Sequence, residues 1–111
     1  MDRRLTSVLV ISIVLVLSSL LLFRGEPLAK RLTEKGWVMY GAHYVTDCNI
    51  QQSLLGEDFV YIEYVDCSKH GCPAMVKVYP TWVRYGPNGT VIKISEGLQS
   101  LEGLERLARE D

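Results

Sequence analysis

The chain has 111 residues with 12 basic and 13 acidic side chains, a formal net charge of −1, so it offers no surplus of positive charge to hold a nucleic-acid backbone. Hydrophobic residues make up 48% of it and are concentrated at the N-terminal end, which separates a first apolar stretch from a small mixed domain. Three cysteines allow one intrachain pair and leave one thiol over.

Leu5 to Phe23 contains no charged residue and is dominated by Leu, Val and Ile. As a helix it would rise about 28 Å, close to the roughly 30 Å of a hydrocarbon core. Arg3 and Arg4 ahead of it suit a cleaved leader. The apolar run exceeds the roughly 7–15 residues of a leader core, however, and no Ala-x-Ala-like site follows it. Residues 1–24 are therefore read as a tail and a retained single-pass transmembrane helix. Basic residues flank both ends (Arg3 and Arg4; Arg24, Lys30, Arg31 and Lys35), so charge alone does not orient it. Paired cysteines downstream place the domain on the extracytoplasmic, oxidising side.

Residues 25–36 read as a linker helix: Pro27 suits a first helical position, Leu28, Ala29 and Leu32 give an apolar side, and Gly36 stops it. Trp37-Val38-Met39-Tyr40 is a short buried strand ended by Gly41. Cys48 to Leu55 follows as a helix with Ile50, Leu54 and Leu55 towards the core and Gly56 as its stop. Phe59 to Val65, β-branched and aromatic, is the strongest strand signal in the chain. Asp66 to Pro73 reads as a polar loop holding Cys67, His70 and Cys72. Thr81 to Tyr85 and Thr90 to Ile94, joined by Gly86-Pro87-Asn88-Gly89, predict a β-hairpin. Ser100 then caps an amphipathic helix carrying Leu101, Leu104, Leu107 and Ala108 on one side. The order β-α-β-α-β-β-α over residues 37–111 predicts an α/β domain with a central mixed sheet.

Within that order, Met39-Tyr40-Gly41-Ala42-His43-Tyr44-Val45-Thr46-Asp47-Cys48 resembles the Tyr-Gly-Ala-x-Trp-Cys-x-x-Cys entry of a thioredoxin-like domain. Tyr64-Val65-Asp66-Cys67, Tyr79-Pro80-Thr81-Trp82 and Gly97-Leu98-Gln99-Ser100-Leu101-Glu102 extend the likeness over about Trp37 to Arg109. Together they are most similar to the thioredoxin-like domain fused to bacterial and plant homologues of vitamin K epoxide reductase. The resemblance implies a thioredoxin-like fold, a cis peptide bond before Pro80, and a groove for an extended peptide or partner thiol formed by Tyr44, Val45, Tyr79 and Pro80. A trans proline opening an edge strand is the alternative for Pro80. The resemblance also implies a Cys67–Cys72 disulfide, against two reduced cysteines in a loop.

The chain departs from the pattern where it matters most. Aligned on Gly41-Ala42 and Cys48, the attacking cysteine of the family falls on Val45, its Trp on Tyr44, and its resolving cysteine on Cys48. Valine cannot attack a disulfide. Met39 stands where thioredoxins often carry a buried Asp. Cys48 is read in two ways: as a single redox thiol near a helix start, with Asp47 opposing its ionisation, or as a small buried hydrophobe. The corresponding functions are an accessory in thiol–disulfide exchange, acting as a single-cysteine oxidoreductase, and a non-catalytic, chaperone-like module that holds extended segments. Partners would be protein thiols or disulfides, or a membrane oxidoreductase. No cofactor is called for. His43, Cys48, Cys67, His70 and Cys72 do not form a recognised ligand frame, so no metal site is expected.

Overall fold

The structure, a computed structural model, describes residues 7–15 and 25–111. Residues 7–15 are helical, and among the described residues no helix is long and apolar enough to cross a membrane. The described helical stretch rises about 14 Å, half of a hydrocarbon core. This corrects the expected transmembrane helix over Leu5–Phe23, and with it the single-pass, extracytoplasmic placement; the rest of that stretch lies outside the described residues.

The domain runs α1 (Leu28–Glu34), β1 (Trp37–Gly41), α2 (Thr46–Leu55), a 3-10 turn (Gly56–Tyr61), β2 (Glu63–Asp66), α3 (Cys67–His70), β3 (Thr81–Tyr85), β4 (Val91–Glu96) and α4 (Leu101–Arg109). Its four strands form one mixed sheet in the order β2-β1-β3-β4. β1 is parallel to β2, which requires a crossover that α2 and the 3-10 turn supply. β1 and β3, and β3 and β4, are antiparallel. The β3–β4 hairpin closes through Gly86 N–H to the Thr90 carbonyl at 2.8 Å, while Asn88 Oδ1 accepts from the Thr90 hydroxyl at 2.7 Å.

Paired residues share a face, so Trp37, Met39 and Trp82 project together from β1 and β3. On that face they meet Ala29 and Leu32 of α1, Cys48 and Leu55 of α2, and Leu104, Leu107 and Ala108 of α4 in one buried cluster. Burying each large member stabilises the fold by about 1.5–3 kcal/mol. The helix expected as a linker is thus part of the core. Arg31 Nη2 donates to Glu105 Oε1 of α4 at 2.7 Å, and the Thr33 hydroxyl donates to the Tyr61 carbonyl at 2.6 Å. Gly36 follows with φ +95°, and a side chain there would run into the carbonyl of Tyr85.

Three local expectations give way to tertiary packing. The Phe59–Val65 strand is confined to Glu63–Asp66, because pairing with β1 begins only where Glu63 meets Val38. Phe59 instead packs on the core from the 3-10 turn, with its ring 5.6 Å from that of Tyr64, and Val60 is 81% exposed. Helix α2 starts earlier than Cys48 and is rotated: Cys48, Gln51 and Leu55 are buried while Ile50 and Leu54 are exposed. The 66–73 loop contains the single helical turn α3, capped by Asp66.

Candidate functional site at the end of β1

β1 ends at Gly41, and the chain turns through Ala42 to Val45, closed by Val45 N–H to the Ala42 carbonyl at 3.1 Å. Val45 is the N-cap residue of α2, in extended conformation and without a side-chain cap bond. Cys48 therefore lies in the first turn of the helix, but it faces inward. It is 3% exposed. A Cβ added to Gly41 would lie 2.7 Å from the Cys48 sulfur and 3.3 Å from the ring of Tyr64, so only glycine lets α2 approach β1 this closely. Burial pushes the Cys48 thiol up, with the Asp47 and Asp66 carboxylates adding to the rise against a hydrogen bond with the Ala42 backbone. The group is held as a thiol. The helix start that would favour a thiolate is outweighed by desolvation.

Val45 is half-buried against the core, together with Tyr79. The register that pairs Tyr40 with Thr81 brings Pro80 opposite Gly41, and the Tyr79–Pro80 bond is cis. Pro80 is fully buried, and its carbonyl accepts from Gly97 N–H at 2.8 Å. Tyr44 is the outward member of the set, 67% exposed and edge-on to the His43 ring. The structure thus gathers Val45, Cys48 and Tyr79 against one core, sets Pro80 beside the end of β1, and leaves Tyr44 at the surface.

Cys67 and Cys72 are joined by a disulfide with Cα atoms 5.1 Å apart, and Cys48 is a free cysteine. Among the described residues no group of three or more His, Cys, Asp and Glu side chains is placed to hold a metal ion.

A polar cluster invisible to sequence spacing sits beside the thiol. Asp66, opposite Gly41 in the parallel ladder, accepts from Ser68 N–H at 3.0 Å and from the Ser68 hydroxyl at 2.5 Å, and bonds His43 Nδ1 at 2.9 Å. The Ser68 hydrogen bonds, countered by burial and reinforced by His43, hold its carboxyl down at about 2. The cluster has the residue types of a nucleophilic triad without its geometry. Ser68 gives its proton to Asp66 and meets His43 at the same Nδ1, at 3.2 Å, so no imidazole nitrogen stands ready to activate the hydroxyl. The one sequence signal for it was Asp66 two residues ahead of Ser68, a helix-capping pattern.

A second missed residue is Gln51, fully buried in α2. Its Oε1 accepts from Trp82 Nε1 at 3.2 Å and from Gln99 N–H at 2.8 Å, and its Nε2 donates to the Gln99 carbonyl at 3.0 Å. It fastens α2 to β3 and to the segment leading into α4. Two grooves lie elsewhere. One of about 280 Å³ is lined by Leu28, Leu54, Leu55 and Leu101, and one of about 470 Å³ by Lys35, Arg84, Tyr85 and Pro87. Neither reaches residues 42–48. No family model matches the chain.

Proposed function

We propose that the chain is a thioredoxin-like domain whose 42–48 loop has lost dithiol turnover and serves to hold extended polypeptide. The observation that carries this reading is the burial of Cys48, which pushes its thiol up and away from the reactive thiolate, with valine at position 45, three residues before it. A disulfide exchange of the two-cysteine kind needs an exposed attacking thiolate together with a resolving partner, and the loop holds one buried thiol, at the resolving position, with valine in place of the attacker. The element order and the mixed sheet are consistent with the resemblance seen in the sequence. Of the two readings of the loop, burial favours the binding module over the single-cysteine exchanger, because a mixed disulfide would require the sulfur to leave its buried seat against Gly41.

What remains at the surface is Tyr44, while Val45 and Tyr79 are partly buried against the core. An exposed aromatic ring on an anchored loop is a suitable contact for a polypeptide, since it buries large area at a small cost in side-chain entropy. Binding of a reduced, carboxymethylated, unfolded polypeptide to the full chain, followed by fluorescence anisotropy, tests the reading. Tyr44→Ala is expected to weaken binding about 5- to 30-fold, the effect of losing 1–2 kcal/mol at an aromatic anchor. Insulin-disulfide reduction, measured in parallel, is expected to stay at background. Reductase activity that Cys48→Ser abolishes, or binding indifferent to Tyr44, overturns it.

A further inference from the structure

β3 sets Arg84 on the helix side of the sheet, paired with Trp37 of β1 and with Lys93 of β4. The side chain is half-buried, and its Nε donates to the Lys35 carbonyl at 2.9 Å. That acceptor is neutral, so the charge is positioned without being paired. Among the described residues Arg84 forms no ion pair, whereas Lys30, Arg31, Lys35 and Lys93 each meet a carboxylate. A guanidinium whose Nε is engaged keeps its two Nη groups, which match the two oxygens of a carboxylate.

Arg84 lines the groove of about 470 Å³ at the start of β1, with Lys35 beside it and Pro87 and Ile92 as an apolar flank. The backbone around it is fixed: Tyr85 N–H donates to the Gly36 carbonyl at 2.9 Å, and Gly86 lies against Ile92, where an added Cβ would come within 3.2 Å of the side chain. Glu34 is the acidic residue of the lining, and its carboxyl is engaged with that of Glu26.

The neighbouring cations show what this surface takes. Glu110, just after α4, is extended, with φ −67° and ψ 141°. Lys35 Nζ donates to its carbonyl at 3.1 Å and lies 3.8 Å from Asp111 Oδ1, while Lys93 Nζ donates to Glu110 Oε2 at 2.6 Å. Two of three clustered cations thus hold an extended acidic stretch by its main chain and its carboxylates. Arg84 is the third, and it has no carboxylate.

We propose that the groove at Arg84 binds a carboxylate side chain of an extended acidic polypeptide, alongside the chain's own Glu110-Asp111. The partner's carboxylate accepts from the two Nη groups of Arg84, as Glu110 accepts from Lys93. The groove lies at the start of β1 and the 42–48 loop at its end, so this site is separate from Tyr44 and does not rest on polypeptide capture there.

The test is fluorescence anisotropy on the full chain with a labelled short peptide of glutamate and glycine, which offers Tyr44 no apolar side chain. The same peptide with glutamine for glutamate is the control. The expected result is binding of the glutamate peptide alone, weakened as salt is raised. Arg84→Gln is expected to lower the affinity about 3- to 10-fold, the loss of a charge-assisted pair at a half-buried site. Glu110→Gln with Asp111→Asn, which leaves Lys35 and Lys93 unpaired, is expected to raise it. Should Arg84→Gln fail to fold by circular dichroism, Arg84→Lys, which keeps the charge and loses the fork, is expected to lower the affinity about 2- to 3-fold. A glutamine peptide that binds as well as the glutamate one, or an affinity unchanged in the folded Arg84 variant, makes Arg84 a tie between β3 and the end of α1 only and overturns the proposal.

Discussion

At the scale of single residues, the contact between Gly41 and Cys48 sets what the loop can do. The sulfur occupies the space in which any other residue at 41 would place its Cβ, and the price of that fit is a thiol withdrawn from solvent. Gly41→Ala is expected to destabilise the domain by about 1–3 kcal/mol through overpacking. In a Cys48→Ala background the same change is expected to cost clearly less, because the clashing atom has gone; urea unfolding of the four proteins gives the coupling. Spacing from Gly41-Ala42 located Val45 and Cys48 at the turn into α2, but the inward direction of Cys48 had no local signature. Neither had the burial of Gln51. A glutamine in a helix reads as a surface residue, and its burial rests on three hydrogen bonds with Trp82 and Gln99, partners at separations of 31 and 48 residues. Ile50 and Leu54 were placed inward for the matching reason: apolar character was counted, but the rotation of α2 is fixed by Gln51 and Cys48.

Among the elements, α3 is the smallest and the most dependent on its neighbours. A single turn has no stability of its own, and Asp66 at its N-cap, the disulfide and the His43 contact hold it in place. Asp66 titrates lower in the folded chain than its ordinary 3.8, down at about 2, so it stabilises the fold fully above that ordinary value. The contribution is lost as pH falls through the folded value. The difference in urea midpoint between the native chain and Asp66→Asn is therefore expected to be constant above about pH 5 and to shrink steadily from pH 4 towards 2. The hairpin and α4 were readable from turn residues and from Ser100, whose side chain accepts from Gly103 N–H at 3.0 Å. The β2 strand was overread, since β propensity continues back to Phe59 while a parallel partner exists only from Glu63 onward. Asp66 and Ser68 form a local capping pair, but His43 could not be read with them, because only the register of β1 against β2 brings it there.

Over the whole molecule, α1, α2 and α4 share one face of the sheet, and the core is the space between them and Trp37, Met39 and Trp82. Because Ala29 and Leu32 are fully buried there, α1 belongs to the folding unit. Leu32→Ala is expected to cost about 2–5 kcal/mol, read as a lower urea midpoint with the slope of the transition retained. A free linker would give a change near zero. The α/β class and the mixed sheet could be inferred from the alternation of elements alone. The integration of α1 could not, since its short apolar side resembles that of any connecting helix until α4 is seen against it. The sealed position of Cys48 has one more consequence, for how the molecule may be watched. A sulfur reached only when α2 lifts away from β1 is a native clock for that motion. The labelling rate of this one thiol in folded protein reports the free energy of the opening, much as a slow amide does in hydrogen exchange, and no probe need be introduced.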